Sequence, residues 1–232
     1  MVSEISEVRL RITKACDDQS TVKKYIRGHE EVLLHNGVKL SEGYDYWQNL
    51  DSVYLLVAES IDGELCYGGS RIHLWNGIDS LPVQSFLAPI ESRVFPELDS
   101  LAQNNGGILE IAGLWNSRLV AGLGLGSEHI IRTSIAVSAF LAPKLVFTFC
   151  SPFVSRFADE FGFLPYKNLG KEGKFPFPDE RWMSTINFLE DKINLPNAKE
   201  EERIKINELR EKKCFVKEYS SRGRNLKIHF QL

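Results

Sequence analysis

The sequence has no pair of cysteines placed to work together. Cys16, Cys66, Cys150 and Cys214 are widely spaced and form no CxxC unit, which excludes a sequence-visible zinc ribbon or redox pair and points to reduced thiols. The five histidines show no metal-ligand spacing, so no metal site is expected. An excess of one charge is missing too. With 28 basic and 31 acidic residues the formal net charge is -3, so the chain as a whole has no electrostatic reason to seek nucleic acid or an anionic membrane. Long apolar runs are absent: the stretch 130–146 is broken by Arg132, Thr133, Ser134 and Lys144, and no membrane span is expected. Residues 1–10 carry Glu4 and Glu7 without an apolar signal core. These absences together predict a cytoplasmic protein.

What is present suits a globular chain. Its 232 residues are 43% hydrophobic and 25% charged, enough for one large domain or a domain with an appendage. Val22, Tyr25, Ile26, His29, Val32 and Leu33 recur at helical spacing and predict a helix over 21–36, ended by Asn36-Gly37. Residues 42–47, Glu-Gly-Tyr-Asp-Tyr-Trp, read as a loop. Strands are expected over 53–58 and 65–74, joined at Asp62-Gly63, and Gly68-Gly69 inside the second predicts a bulge or a close backbone approach. The stretch 81–103 holds Pro82, Pro89 and Pro96 and has no single reading, and 104–107 reads as a turn. A strand over 108–115, a helix over 127–141 with Ser127 as its cap, a buried strand over 145–150 and a helix over 153–161 stopped by Gly162 follow. A strand over 181–189, a charged helix over 198–213 and a hairpin, 214–219 with 226–231, close the chain. The expected class is α/β with a mixed sheet. The expected organisation is a main domain over 1–195 and an appendage over 196–232, joined near 195–197.

One motif carries chemistry. Ala121-Gly122-Leu123-Gly124-Leu125-Gly126-Ser127 falls between a strand and a helix. Three glycines at alternate positions let a ligand reach the backbone, and amides at a helix N-terminus favour an anion such as a pyrophosphate. The dinucleotide fingerprint needs GxGxxG and a later acidic residue, and the Walker loop needs Gly-Lys-Ser/Thr. Neither is here. A plain flexible turn and a phosphate loop remain as readings of the motif alone.

The stretch 53–163 resembles the GNAT superfamily of acyltransferases. The predicted hairpin, the strand over 108–115, the glycine loop and the strand–helix–Gly162-Phe163 unit stand in that family's order. The resemblance implies a mixed, mostly antiparallel sheet flanked by helices, and an acyl thioester of coenzyme A, or of a carrier-protein phosphopantetheine, bound along Ala121 to Ser127, with Trp115 and Asn116 near the pantetheine. It implies no metal. Two positions depart from the pattern: Ala121 replaces the usual Arg or Gln, and Ala158 replaces a tyrosine acid, with Tyr166 nearby. The first half is similar more narrowly to acyl-homoserine-lactone and N-acyl amino acid synthases, through Arg27, Asp51, Trp47, Gly69-Ser70-Arg71 and Glu110.

Aminolysis of a thioester needs a base, a polarised carbonyl and a leaving thiolate. On this resemblance Glu110, flanked by Leu109 and Ile111, is the base, Arg71 holds an acceptor carboxylate, and Asp51 orients the acceptor amine. Each has a structural counterpart: Glu110 a paired strand glutamate, Arg71 a bridge to Glu110 or Asp51, Asp51 a turn cap. His73 is an alternative base, and Cys150 reads as a buried, inert thiol. The charged helix and basic tail (Lys217, Arg222, Arg224, Lys227) are solvated or touch an acidic carrier protein. The expected activity is N-acyl transfer to a small amine. The rival is a non-catalytic acyl-coenzyme A or protein-binding module of the same fold, and a dinucleotide oxidoreductase is disfavoured by the loop spacing.

Overall fold

The computed structural model describes residues 5–38, 46–75, 81–177, 180–221 and 224–232. Residues 42–45 of the expected loop, Glu4 of the N-terminal segment, and Arg222 and Gly223 of the expected hairpin turn lie outside them. The chain divides into two compact units. The first comprises Met1–Arg71, Gly113–Ser134 and Glu208–Leu232, the second Ile72–Ala112 and Ile135–Asn207.

The first unit begins with a strand beyond those expected, β1 (Glu7–Lys14). Val8 and Leu10 point into the core while Arg9 and Arg11 alternate with them, the period-two pattern of a strand with one buried face. Helix α1 (Gln19–His35) follows, capped by the Asp18 side chain, which accepts from Thr21 N at 3.0 Å. A 3-10 turn, Tyr46–Asn49, precedes β2 (Val53–Glu59) and β3 (Cys66–Leu74). β1 pairs antiparallel with β2 on one side. On the other it runs parallel to β10 (Arg224–Gln231), whose antiparallel neighbour is β9 (Cys214–Ser221).

Charge fastens β1 in place. Glu59, 2% exposed, accepts from Arg9 Nε at 2.8 Å and Arg11 Nε at 2.7 Å, and Arg11 also reaches Asp18 at 3.0 Å. Gly68-Gly69 proves to be a close approach. A Cβ on Gly69 would lie 2.3 Å from the Leu56 carbonyl oxygen, and one on Gly68 would lie 2.7 Å from that of Trp115.

In the second unit the proline-bearing stretch forms two helices, α2 (Pro82–Leu87) and α3 (Val94–Asn105). Pro82 opens α2 and Pro96 sits in the first turn of α3, where a missing N–H costs nothing. The expected turn at 104–107 is therefore shorter: α3 runs through Asn105, and Gly106, at φ 66°, ends it. β4 (Ile108–Asn116) starts here and pairs in parallel with β5 (Leu145–Cys150) at Ile108, Leu109 and Glu110. β8 (Met183–Leu189) lies antiparallel to β5, and takes the short β6 (Leu164–Pro165) and β7 (Lys174–Pro176) on its other side. The core joins Val83, Leu87 and Leu98 to Ile108, Phe147 and Phe188.

Helix α4 (Ser127–Ser138) stops short of the expected 141. Lys192, 5% exposed, explains the end: its Nζ donates to the carbonyls of Ser138, Leu141 and Pro143 at 2.5–2.6 Å. Helices α5 (Pro152–Ala158) and α6 (Glu200–Lys212) complete the elements. Gly162, at φ 89°, ends the 3-10 turn after α5. Around Leu195, which is fully buried, a Cβ on Gly162 would lie 2.9 Å from Ala198 N. The strands form a ten-stranded, mostly antiparallel sheet with helices beside it. Among the described residues no helix is long and apolar enough to cross a membrane, and no cluster of His, Cys, Asp or Glu is placed to hold a metal ion.

Candidate active site

The glycine loop leaves β4 through a short 3-10 turn, Arg118–Val120. Leu123 and Leu125 turn inward and are 8% and 4% exposed, while Gly122 and Gly124 take φ of 75° and 94°. The alternation has a simple cause. The leucines anchor the loop, and the glycines between them adopt backbone angles that side chains resist. Leu123 N donates to Val120 O. The amides of Gly122, Gly124, Leu125 and Gly126 make no hydrogen bond among the described residues. Asn116 locks the next step: with its amide oriented to satisfy both partners, its side-chain oxygen accepts from Ser127 N at 3.0 Å and Ser127 Oγ at 3.1 Å. Asn116, not Ser127, thus serves the first turn of α4.

Ala121 is exposed and supplies no charge. Glu128, also exposed, follows the loop, and a Cβ on Gly126 would lie within 2.3 Å of its carboxylate. Backbone amides and the N-terminal end of the α4 dipole are what the loop offers an anion, and Glu128 is a negative charge beside them.

Elsewhere in the first unit Arg71 sits in a buried aromatic nest. It is 2% exposed, and its Cζ lies 4.8 Å from the Trp47 ring centroid. Tyr25 meets Trp47 and Trp115 edge-on at 6.0 and 5.9 Å, and His29 stacks on Trp115 at 6.5 Å with planes 17° apart. Gly113, at φ 59°, makes room: a Cβ there would lie 2.8 Å from Arg71 Nε. Burial, then the Arg71 charge, push the His29 imidazole down to about 3. The indole N–H of Trp115 is buried and has no acceptor among the described residues. The i, i+4 spacing of Tyr25 and His29 puts them on one face of α1, and that face meets Trp115. Asp51 is exposed in the turn entering β2 and stands outside the nest.

In the second unit Glu110 is 2% exposed on β4, and its Oε2 accepts from Val83 N at 3.0 Å. The same turn of α2 uses a second side chain: Gln84 Oε1 accepts from Leu81 N at 2.7 Å. Cys150 is near enough for Glu110 to act on its charge. Burial above all, with that carboxylate as a lesser cause, pushes its thiol up to about 11, so it stays protonated and unreactive. Tyr166 donates to Glu97 and accepts from Asn168 at 3.0 Å; burial, then Glu97, push it up to about 12. Ala158 is 4% exposed and has no proton to give. His73 is buried on β3.

No protein-family model and no curated protein matches the chain. Solved structures do. FeeM, an N-acyl amino acid synthase from uncultured soil microbes, is 15% identical across 81% of this chain and 99% of its own, with a TM-score of 0.58. BjaI, a CoA-dependent acyl-homoserine lactone synthase solved with SAM and isopentyl-CoA, is 14% identical across 87% and 88%, at 0.51. The chain has the GNAT fold. An acyl-CoA N-acyltransferase from Pseudomonas aeruginosa shares it at 12% identity, across 77% of this chain and 98% of its own, with a TM-score of 0.51. The expected mixed, mostly antiparallel sheet is therefore the observed one.

Proposed function

We propose that this chain is an N-acyltransferase. It takes an acyl group from a phosphopantetheine thioester, on coenzyme A or a carrier protein, and passes it to the amine of a small acceptor. The observation that carries the reading is β4. One strand presents the buried carboxylate of Glu110, then Trp115 and Asn116, and runs into a loop whose unengaged amides open at the N-terminus of α4. That loop suits the donor's phosphates. Fold likeness to N-acyltransferases agrees with it.

The acceptor's ammonium first gives one proton to solvent; the free amine then attacks the thioester carbon while Glu110 takes a second proton from the nitrogen. The C–N bond forms, the carbonyl electrons move to oxygen, and their return breaks the C–S bond. The departing thiolate needs one proton. Ala158 offers none and Tyr166 is tied to Glu97, so the proton Glu110 removed is the one that returns to sulfur. Arg71 in its aromatic nest suits an acceptor carboxylate; Asp51, in its exposed turn, serves the acceptor from the rim. A soluble cytoplasmic enzyme free of metal fits this chemistry.

A thiol-release assay over acetyl to long-chain acyl-coenzyme A, and over acyl-carrier protein, with amino-acid acceptors tests the reading. Glu110→Gln is expected to lower turnover by about 100-fold or more, the usual scale of a general base. Full activity in Glu110→Gln overturns the mechanism. Coenzyme A binding with no turnover under any donor would instead assign a non-catalytic acyl-binding module, the reading that Ala158 and the capping contact of Glu110 favour.

A further inference from the structure

Gln84 is a buried amide with one end engaged. It is fully buried in α2. Its Oε1 accepts from Leu81 N at 2.7 Å. That contact fixes the orientation, because a flipped amide would point N–H at N–H. The Nε2 group, with two hydrogens to donate, has no acceptor among the described residues. A buried donor left so is costly, and native chains keep few of them. The helix cap uses only the side-chain oxygen and leaves the amino group without a partner among the described residues.

Its neighbour gives the donor a use. The turn at 81–84 hands one amide to Gln84 and the next but one to Glu110 Oε2. A single short turn thus carries a buried primary amide beside the proposed base. Amine attack on a thioester moves negative charge onto the carbonyl oxygen, and a preorganised N–H aimed at that oxygen lowers the barrier most.

Resting on the acyl-transfer reading above, we infer that the Gln84 side-chain amide donates a hydrogen bond to the substrate's thioester oxygen as it becomes an oxyanion. The amine nitrogen bonds to the carbonyl carbon and Glu110 accepts the amine proton. The oxygen holds its charge against Gln84 Nε2–H without taking a proton. Collapse re-forms the carbonyl, breaks the C–S bond and returns the proton to sulfur. The donor acts on the transition state more than on the bound thioester.

Gln84→Glu keeps the acceptor for Leu81 N–H and removes the donor; Gln84→Met keeps the length and removes both. Each variant of the full chain is assayed for thiol release with acetyl- and longer acyl-coenzyme A, and its melting midpoint is measured. Turnover about 100-fold lower in both, with KM for the donor within about twofold of wild type, is expected. Affinity for the thioether analogue, which has no carbonyl, stays unchanged. A purely structural Gln84, including one satisfied by a buried water, lowers the melting midpoint and leaves turnover per folded molecule intact; that result overturns the inference while wild-type activity keeps the acyl-transfer reading standing. If the wild-type chain itself releases no thiol with any donor, the reading and this inference fall together. Should Gln84→Met fail to fold, Gln84→Glu decides.

Discussion

Tyr25 on α1 donates its hydroxyl to the carbonyl oxygen of Gly113 on β4. The bond joins the helix carrying His29 to the strand carrying Trp115, at the one point on β4 where φ is positive. Gly113→Ala meets two obstacles: a strained backbone angle, and a methyl 2.5 Å from Tyr25 Oη. We expect a loss of about 3 kcal/mol, the sum of left-handed strain and overpacking, read as a lower urea midpoint. Tyr25→Phe removes only the hydrogen bond and should cost about 1–2 kcal/mol.

The depressed His29 imidazole makes stability depend on pH. Its folded value, about 3, lies below the unfolded value of 6.5. Between these the unfolded chain binds the extra proton, so stability is full above pH 6.5 and falls as pH drops toward 3. From pH 7 to pH 5 this one group should remove about 2 kcal/mol. His29→Gln should flatten that part of the profile in urea titrations at the two pH values; an unchanged slope would show that His29 is not the group responsible.

Glu59 on β2 binds the guanidinium groups of Arg9 and Arg11, both on β1. Glu59→Gln leaves Arg9 and Arg11 without the anion they share, while Arg11 keeps Asp18. Both arginines keep some water, at 25% and 20% exposure, so the cost falls below that of breaking a fully buried pair, at about 2 kcal/mol. Thermal denaturation checks it, and hydrogen exchange should show the loss first in β1.

Glu128 opposes the anion proposed for the glycine loop. Glu128→Gln should tighten coenzyme A binding by roughly threefold at low salt, and the gain should fade above about 0.5 M salt as screening sets in. Calorimetry at two ionic strengths measures it. Binding that is indifferent to the substitution would place the phosphates elsewhere.

Much of this architecture was legible because its signals are local. Gly106, Gly162 and the alternation around Glu110 each mark their own element. β1 shows the alternation of Val8, Leu10 and Ile12 with Arg9, Arg11 and Thr13, but the partner that explains its charged members, Glu59, lies 48 residues on from Arg11. The helices over 82–105 were hidden by prolines whose meaning depends on position: at a first turn Pro82 starts a helix, and in the middle it would break one. The candidate site was legible as residue types and not as partners. Glu110 stood out, but Val83, 27 positions away, could not be found by spacing, and Gln84 looks like any helix glutamine until its burial is known. His29 looks like one apolar-face position among several, because nothing local reports the Arg71 charge beside it.

The pairing of β1 with β10 sets an order of events at the ribosome. Glu7 and Lys227 meet across 220 residues of chain. At ordinary synthesis speeds β1 therefore waits roughly 10 to 45 s for that neighbour to be made. Throughout the wait one edge of β1 is bare and able to zip onto another nascent copy. Arg9 and Arg11, two positions apart, put like charges along that strand and discourage such a partner. The finished strand is held by its salt bridges; the unfinished one is kept from clumping by the same arginines.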